Sequence, residues 1–297
     1  MIVTVTLNAT LDVAYEAEGP SWQATRDITR VRHRAGGTGV AVARVLYKFG
    51  HEVAVAGLAG GATGELIRED LGRSGIPVAM TGISQESRRV LAVTDTVSGQ
   101  TMRLREPGPY VTTEELGRFA GDYRRMLSDA TAVVLCGSLP LGLPPEIYGS
   151  LATYAAEAGV PVILSTGGEA LRHAAARRPD LVVPDEESEP SALAEADREA
   201  AGDALLAQGA VAVAVPAGDR ITAVTKGGRW RATLPGRTLG SPGPLVAGLV
   251  PGLLLGWSWP DLLRNAAAVG AAATVAGDVN LAEYERLVDQ VEVEPAS

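Results

Sequence analysis

The chain has 297 residues, with one cysteine, three histidines and a net charge of −9 at pH 7 from 26 basic and 35 acidic residues. One cysteine excludes a disulfide framework, and three histidines without His-x-His or His-x-x-x-His spacing argue against a zinc site. The acidic balance argues against sequence-independent nucleic-acid binding. Because the chain has no long uncharged apolar stretch and no basic N-terminal segment, we expect no membrane span and no signal peptide. The single cysteine makes a reducing cytoplasm the expected location.

Strands and helices alternate along most of the chain. Strands are predicted at 2–7, 53–58, 132–136, 161–164, 181–183 and 211–215. Helices are predicted at 39–49, 65–73, 113–129, 145–157, 169–176 and 191–208. A strand pair at 221–225 and 229–233 follows, and then helices at 246–256, 260–276 and 281–288. This alternation predicts an α/β fold, a doubly wound parallel sheet flanked by helices.

Residues 84–106 break the alternation. Strand-forming residues at 90–96 and 101–104 flank a turn that contains Gly99, which predicts a β-hairpin. β-branched residues at 26–32 indicate a further strand. These strands point to a small β-sheet outside the main one. Because no linker divides the chain, we expect one domain over residues 1–297, with a lid formed by segments of about 13–34 and 84–106.

Two stretches near the N-terminus carry candidate ligand-binding groups. Gly36 and Gly37 stand before a predicted helix, where free N–H groups and the positive end of the helix dipole can receive an anion. Asp12 follows the first strand, at the edge where open α/β sheets bind ligands, and its carboxylate can accept two sugar hydroxyls. The alternatives are a tight loop for the glycines and a turn cap for Asp12.

Two later loops are uninformative by themselves. Cys136 ends a predicted strand, but no histidine near it in sequence offers a base, so we interpret it as a buried structural thiol. Residues 240–244, Gly-Ser-Pro-Gly-Pro, lead into a predicted helix and are typical of a proline-initiated helix start.

In combination, four motifs resemble the PfkB branch of the ribokinase superfamily, in particular the 1-phosphofructokinase and tagatose-6-phosphate kinase group. Residues 8–12 resemble that group's Asn-Pro-Ala-Leu-Asp, and residues 35–43 resemble Ala-Gly-Gly-Lys-Gly-x-Asn-Val-Ala. Residues 107–109 match Pro-Gly-Pro, and 137–142 resemble Gly-Ser-Leu-Pro-Pro-Gly. The motifs occur in the family's order across the chain. The resemblance implies a ribokinase-like fold with a small β-sheet lid over a sugar site.

The resemblance implies ATP-dependent phosphoryl transfer to a phosphosugar hydroxyl, with Mg²⁺ neutralising charge. Such a reaction needs a carboxylate to take the hydroxyl proton and N–H groups to hold the phosphate. The family supplies both in Gly-Ala-Gly-Asp, which aligns with Gly240 to Gly243 and puts Gly243 on the aspartate. A one-residue shift puts Pro244 there instead. Neither residue accepts a proton, and Pro242 and Pro244 have no N–H group.

The nucleotide side of the implied site departs from the family in two further motifs. Lys-Pro-Asn-x-x-Glu becomes residues 183–188, with Asp185 at the asparagine. In the nucleotide loop Gly218 is kept, but Arg220 replaces a glycine and is expected to crowd ATP. Asp185, Glu187 and Glu189 are alternative Mg²⁺ ligands, but solvated acids at a helix start are the better explanation, and we assign no metal ligand.

The sugar side keeps more of its chemistry. The resemblance assigns substrate binding to five residues: Asp12, Arg30, Gly36, Gly37 and Arg89. The family's lid motif Arg-x-Asn corresponds either to residues 88–90 or to 89–91, so an arginine stays and the amide is lost in both registers. Arginines 30 and 89 can grip a phosphate with two hydrogen bonds, or they are exposed lid charges. In the glycine motif, Lys becomes Thr38 and Asn becomes Ala41.

Two hypotheses follow from this pattern. The first is a pseudokinase that keeps a sugar-phosphate pocket but has lost, or nearly lost, ATP-dependent transfer. The alternative is an active, divergent phosphosugar kinase of the phosphofructokinase or tagatose-6-phosphate kinase type with a base from elsewhere. By resemblance, a homodimer through the lid is the expected assembly.

Overall fold

The computed structural model describes residues 1–19, 25, 27–185, 195–274 and 277–296. In the first half of the chain the elements are β1 (Ile2–Thr6), β2 (Thr10–Ala17), β3 (Ile28–Gly36), α1 (Thr38–Lys48), β4 (Val53–Gly60), α2 (Gly61–Arg73), β5 (Val78–Ile83), β6 (Arg88–Asp95), β7 (Thr101–Arg105), α3 (Thr113–Met126), β8 (Ala132–Cys136) and α4 (Ile147–Glu157). They are followed by β9 (Val162–Ser165), α5 (Gly168–Ala175), β10 (Leu181–Val182), α6 (Glu195–Gln208), β11 (Ala212–Ala217), β12 (Arg220–Thr225), β13 (Gly228–Thr233), α7 (Pro242–Leu254), α8 (Trp259–Ala271), α9 (Leu281–Val288) and β14 (Glu292–Pro295).

A ten-stranded sheet with the order β14-β13-β12-β11-β10-β9-β8-β1-β4-β5 forms the centre of the molecule. The strands from β11 to β5 in this order run parallel, and β12, β13 and β14 are antiparallel additions at one edge. Successive β1 residues enter opposite cores: Ile2 belongs to the buried cluster that contains residues of α1, α7 and α8, whereas Val3 belongs to the one that contains residues of α3 and α4. Both faces are therefore covered by helices, as the buried strands predict.

β1 is the strand at which the sheet order reverses. It pairs with β4 on one side and with β8 on the other, so the connections that leave the two neighbouring strands diverge. In open α/β sheets, a crevice forms at the carboxyl edge of the strands at such a switch point. The residues that follow β1 and β8 are therefore the first place to look for a ligand site.

A second, four-stranded sheet has the order β3-β2-β6-β7 and is called the small sheet below. The predicted hairpin is confirmed as β6 and β7, which pair antiparallel. The small sheet's strands overlap the two segments expected to form a lid, at about 13–34 and 84–106. The expected strand at 26–32 corresponds to β3, although Arg26 itself lies outside the described residues.

Some predicted elements need correction. α7 begins at Pro242 instead of residue 246, because proline is tolerated in the first helical turn. β2, β5 and β14 were not predicted, since polar or short strands give a weak pattern. The N-terminal part of the helix predicted at 191–208 lies outside the described residues. In the described part of the chain, no helix has both the length and the apolar character that crossing a bilayer requires.

Candidate functional site

A cleft of about 560 Å³ opens at the carboxyl ends of β1 and β8, beneath the small sheet. The cleft is lined there by Thr6 at the end of β1, by Asn8 after it, and by Gly137 and Ser138 after β8. Asn8 Nδ2 donates to Ser138 Oγ at 3.1 Å, which ties the two strand ends together. The cleft thus occupies the switch point of the main sheet.

Glycines allow the backbone to approach Asp12 at one end of the cleft. A Cβ on Gly36 would collide with the Asp12 carboxyl group, so Asp12 can hold this position only beside a glycine. Gly37 adopts φ 110, which an L side chain rarely adopts, and the chain turns there into α1. The α1 N-terminus has no side-chain cap among the described residues. Its N–H groups therefore remain available to a ligand at this end of the cleft.

Asp12 is a carboxylate among the cleft-lining residues. Its Oδ1 accepts a hydrogen bond from Thr10 Oγ1 at 2.7 Å. Burial raises the pKa of Asp12, and the Thr10 hydrogen bond together with the charges of Arg103, Arg88 and Arg34 opposes that rise. Positive charges therefore surround this carboxylate within the cleft.

Arginines from two adjacent strands of the small sheet face the cleft. They are Arg88 on β6 and Arg103 and Arg105 on β7. The Arg88 Nε atom is buried and has no hydrogen-bond partner among the described residues. Burial, followed by the nearby charge of Arg105, lowers the pKa of Arg88. This end of the cleft is suited to an anionic group next to a hydroxyl acceptor.

The opposite end of the cleft is formed by residues 240–243 and the start of α7. Ser241 is the N-cap residue, but its side chain makes no capping hydrogen bond in the described structure. The first turn contains Pro242 and Pro244, so two of the four N–H groups that normally remain free at a helix start are absent. This end offers fewer donors to an anion than an ordinary helix N-terminus.

The sequence profile of the family described as pfkB family carbohydrate kinase matches residues 6–282. The chain belongs to the PfkB family. Phosphofructokinase-2 from Escherichia coli is 25% identical, with a TM-score of 0.85 over 97% of this chain and 98% of that chain. A possible 1-phosphofructokinase from Thermotoga maritima is 23% identical, with a TM-score of 0.89 over 100% of this chain and 99% of that chain. The family and the ribokinase-like fold expected from the sequence are confirmed.

Two predicted substrate residues of this PfkB protein lie away from the cleft. Arg89 points to the side of β6 opposite Arg88, where its Nε and Nη2 atoms donate to Glu106 Oε1 at 3.0 and 2.7 Å. Arg30 is exposed on β3, where it pairs in register with Glu16, and it is not among the described residues that line the cleft. By contrast, Val90 lines the cleft together with Arg88, which favours the register 88–90 for the lid motif.

Gly243, the position aligned with the family's aspartate, lies against α1. A Cβ there would be 2.8 Å from the Ala41 Cβ and 3.2 Å from the Thr38 carbonyl oxygen. Pro244, the alternative position, is also buried in α7. Among the described cleft-lining residues, Asp12 is the sole carboxylate, so no acidic side chain lines the end formed by α7.

The predicted nucleotide-side residues are dispersed. Asp185 follows β10 and is buried, and its Oδ2 accepts from Thr38 Oγ1 at 2.9 Å, behind the cleft wall. Gly218 adopts φ 62 in the turn between β11 and β12, where its carbonyl accepts from Leu239 N at 2.9 Å. Gly240 lines the cleft. Glu187 and Glu189 lie outside the described residues, and no group of three metal-ligating side chains occurs in the described ones.

Sequence reasoning missed the cleft-lining role of Arg103 and Arg105. Both were placed in a predicted strand or at its end, but their shared face was not considered. The signal was available, because residues two apart in a strand point to the same face. Alternation along β7 therefore puts Arg103 and Arg105 on one face and Leu104 on the other.

Proposed function

We propose that this PfkB protein is a pseudokinase: it binds a sugar phosphate in the cleft, and its ATP-dependent phosphoryl transfer is lost or strongly impaired. The observation that carries the proposal is the asymmetry of the cleft. One end has a carboxylate and arginines, whereas the end at Gly243 has neither a carboxylate nor a full set of N–H donors.

The end of the cleft that carries Asp12 and the arginines supports recognition of a sugar phosphate. Asp12 can accept hydroxyl hydrogen bonds, and the α1 N-terminus behind Gly36 and Gly37 favours hydroxyl-rich or anionic ligands. Arginine guanidinium groups bind phosphate oxygens with paired, charge-assisted hydrogen bonds. Because Arg88 Nε is buried without a partner among the described residues, an anion there would satisfy a group that is otherwise costly to bury.

The other end opposes phosphoryl transfer. Loss of a general base typically costs about 10²–10⁴-fold in rate. Loss of one donor to a developing negative charge typically costs about 10²–10³-fold. Gly243 supplies no base, and Pro242 and Pro244 supply no N–H, so a combined loss of about 10⁴-fold or more is expected.

ATP and Mg²⁺ are the family's cofactors, and the residues present at the transfer end fit them poorly. A phosphate at the α7 N-terminus would meet two prolines in the first turn. At the expected nucleotide loop, Arg220 carries a bulky charged side chain next to Gly218 and forms an ion pair with Asp219 at 3.5 Å. We therefore assign no step of this protein to bound ATP.

The first test is ADP release by the purified protein with fructose 1-phosphate, fructose 6-phosphate and tagatose 6-phosphate. We expect no release above background. Turnover of about 1 s⁻¹, the low end of the kinase range, would overturn the proposal. A thermal-shift panel on the same protein should show stabilisation by a sugar phosphate and none by ATP, since a ligand at about 100 times its Kd stabilises by about 2.7 kcal/mol. The reverse pattern would contradict our assignment of the cleft.

A second candidate function, an active divergent phosphosugar kinase, is favoured by the hydrogen bond from Thr38 to Asp185. Thr38 lines the cleft beside Gly243, and the buried carboxylate behind it could take a proton passed through the Thr38 hydroxyl. The substrate hydroxyl would then lose its proton to a base that the family motif does not contain.

If ADP release is detected, Asp185→Asn should lower it by about 10²–10⁴-fold, because the amide cannot accept the proton. Thr38→Val should have a similar effect, whereas the matched variant Thr38→Ser keeps the hydroxyl and should retain most of the activity. Equal activity in Thr38→Val and the parent protein would exclude this relay. Initial rates of ADP formation at saturating substrate provide the measurement.

A homodimer through the small sheet and a cytoplasmic location are also part of the proposal. The face of the small sheet opposite Arg103 and Arg105 carries, besides the Arg89–Glu106 ion pair, the apolar residues Val31, Met102 and Leu104, which are 49%, 40% and 47% exposed. An exposed apolar patch of this kind is typical of a protein interface. Escherichia coli phosphofructokinase-2 has been solved as a tetramer in an inhibited form. The mass of this protein in solution tests the dimer.

A further inference from the structure

A carboxylate in the last turn of α2 holds the end of β3. In the described structure β3 is an edge strand of the small sheet, and the outer N–H groups of an edge strand have no neighbouring strand as acceptor. Ala35 is 3% exposed, and its backbone N–H donates to Asp70 Oδ2 at 2.8 Å. A buried N–H group needs such an acceptor. Asp70 therefore supplies at Ala35 the acceptor that a neighbouring strand would otherwise provide.

Two glycines, called the glycine turn below, follow Ala35 and connect β3 to α1. Gly36 lies against the Asp12 carboxyl group, and Gly37 adopts φ 110. Because glycine loses more conformational freedom on ordering than any other residue, such a turn keeps one conformation only if both of its ends are held. At one end, the Gly37 carbonyl accepts a hydrogen bond within the first turn of α1. At the other end, the hydrogen bond to Asp70 holds the chain.

A neighbouring ion pair holds a side chain and not the main chain. Arg34 Nη2 donates to Asp278 Oδ1 at 2.5 Å, and the Asp278 side chain is 48% exposed. A long arginine side chain leaves its own peptide free to rotate, and exposed ion pairs contribute little. Asp70 differs, because it accepts directly from the backbone beside the glycine turn.

Asp70 is itself held by Arg44 of α1. Arg44 Nη2 donates to the same Oδ2 atom at 2.5 Å, and Arg44 Nη1 donates to Ser74 Oγ at 3.0 Å. The side chains of Arg44 and Asp70 are 10% and 20% exposed. Burial, followed by the charge of Arg34, lowers the pKa of Arg44, and the charge of Asp70 opposes this change. One oxygen atom thus joins α1, α2 and the end of β3.

We propose that Asp70 is a positioning residue: by holding the Ala35 peptide it fixes the glycine turn, so that the first N–H groups of α1 are in place before a ligand binds. Asp70 is not among the described residues that line the cleft, and it acts through the turn. The effect on affinity rests on the proposed function, whereas the anchoring of the turn does not. Ordering the backbone of one residue costs about as much as a 10-fold change in affinity, so a loosened turn of two glycines should weaken binding by about 10- to 100-fold.

The test removes the acceptor without leaving a buried charge unpaired. Replacing Asp70 alone would strand the Arg44 guanidinium, which is strongly destabilising. Arg44→Met is therefore the reference protein, and Asp70→Leu or Asp70→Asn is added to it. Leucine removes the acceptor, whereas asparagine keeps a carbonyl oxygen that can accept from Ala35 N. Because apolar residues of similar volume often replace a buried ion pair without loss of stability, we expect all three proteins to unfold cooperatively.

Hydrogen exchange and calorimetric titration are the two measurements. In the unliganded proteins, Asp70→Leu should speed exchange at the amides of residues 35–37 by about 10-fold or more over the reference, with no change in the main sheet. The same variant should bind fructose 6-phosphate about 10- to 100-fold more weakly than the reference. Asp70→Asn should keep both values within about 3-fold of the reference, because its carbonyl restores the acceptor.

Ser74→Ala in the parent protein is the matched control. It removes a partner of Arg44 and leaves the hydrogen bond from Ala35 to Asp70 in place, so it should change neither the local exchange nor the affinity. Faster exchange across the main sheet in Asp70→Leu would mark a general loss of stability and would overturn the assignment.

The two measurements distinguish failure of this inference from failure of the proposed function. Unchanged exchange at residues 35–37 overturns the inference whatever the affinities. Faster exchange there with unchanged affinity also overturns it, because the turn would then have no effect on the ligand. If the reference protein binds no sugar phosphate, exchange decides the inference: local acceleration supports it, and its absence refutes it. If the parent protein binds no sugar phosphate either, the proposed function fails, independently of that result.

Discussion

Gly243→Asp is expected to melt several degrees below the parent protein and to gain no phosphoryl transfer, although it restores the family's aspartate. The new Cβ would lie 2.8 Å from the Ala41 Cβ, and neither of these atoms can rotate away. Overpacking of this kind costs about 1–3 kcal/mol, which corresponds to a Tm decrease of about 2–10 °C for a chain of this size. Pro242 and Pro244 would still lack N–H groups, so the phosphate would remain poorly held. Thermal unfolding and ADP release measure the two effects.

The double variant Ala41→Gly with Gly243→Asp isolates the steric part of this prediction. Removing the Ala41 methyl should recover part of the stability that Gly243→Asp loses. Glycine within a helix itself costs about 1 kcal/mol, and the single variant Ala41→Gly measures this cost. If the stability loss of the double variant equals the sum of the losses of the two single variants, the side chains at 41 and 243 do not collide. Turnover of about 1 s⁻¹ in either aspartate variant would show that the missing base is the main defect.

The fold could be predicted because the strands of the main sheet leave a clear pattern. Short apolar strands such as β4 and β8, each followed or preceded by an amphipathic helix, indicate a parallel sheet that is covered on both faces. β2 was harder to recognise, because Asp12 and Glu16 interrupt its apolar residues. Polar and apolar residues alternate along β2, but this alternation is recognisable as a strand pattern only once β3 and β6 are known to pair with it. The pairing places the polar residues on one face of the small sheet.

The candidate site could be predicted only where backbone shape determines it. Gly36 and Gly37 were identified because a glycine cluster directly before a predicted helix is a local sequence pattern, and the structure shows what each glycine makes room for: Asp12 beside Gly36 and Thr6 beside Gly37. Motif alignment also found Gly243, but it could not show that α1 fills the adjacent space. That obstacle comes from the packing of α7 on α1, which joins residues about 200 positions apart in the chain. Contacts at such distances leave no local pattern in the sequence.

Arg88→Gln and Arg89→Gln should affect ligand binding very differently, although the two arginines are adjacent. Arg88 lines the cleft and has a buried, unpartnered Nε among the described residues, so its loss should weaken fructose 6-phosphate binding by about 10- to 100-fold. Arg89 is about half exposed and is paired with Glu106 outside the cleft, so its loss should change the affinity by less than about 2-fold. Calorimetric titration of both variants provides the comparison.

The variants Arg88→Gln and Arg89→Gln together test the register of β6 as well as ligand binding. A strand slipped by one residue would exchange the faces of Arg88 and Arg89 and would also turn Val90 out of the cleft. A large loss in Arg89→Gln together with a small one in Arg88→Gln would therefore mean that the lid motif corresponds to residues 89–91. Val90 would then lie on the other face from the ligand, and Arg89 in place of Arg88 would be the arginine of the lid motif that faces the cleft.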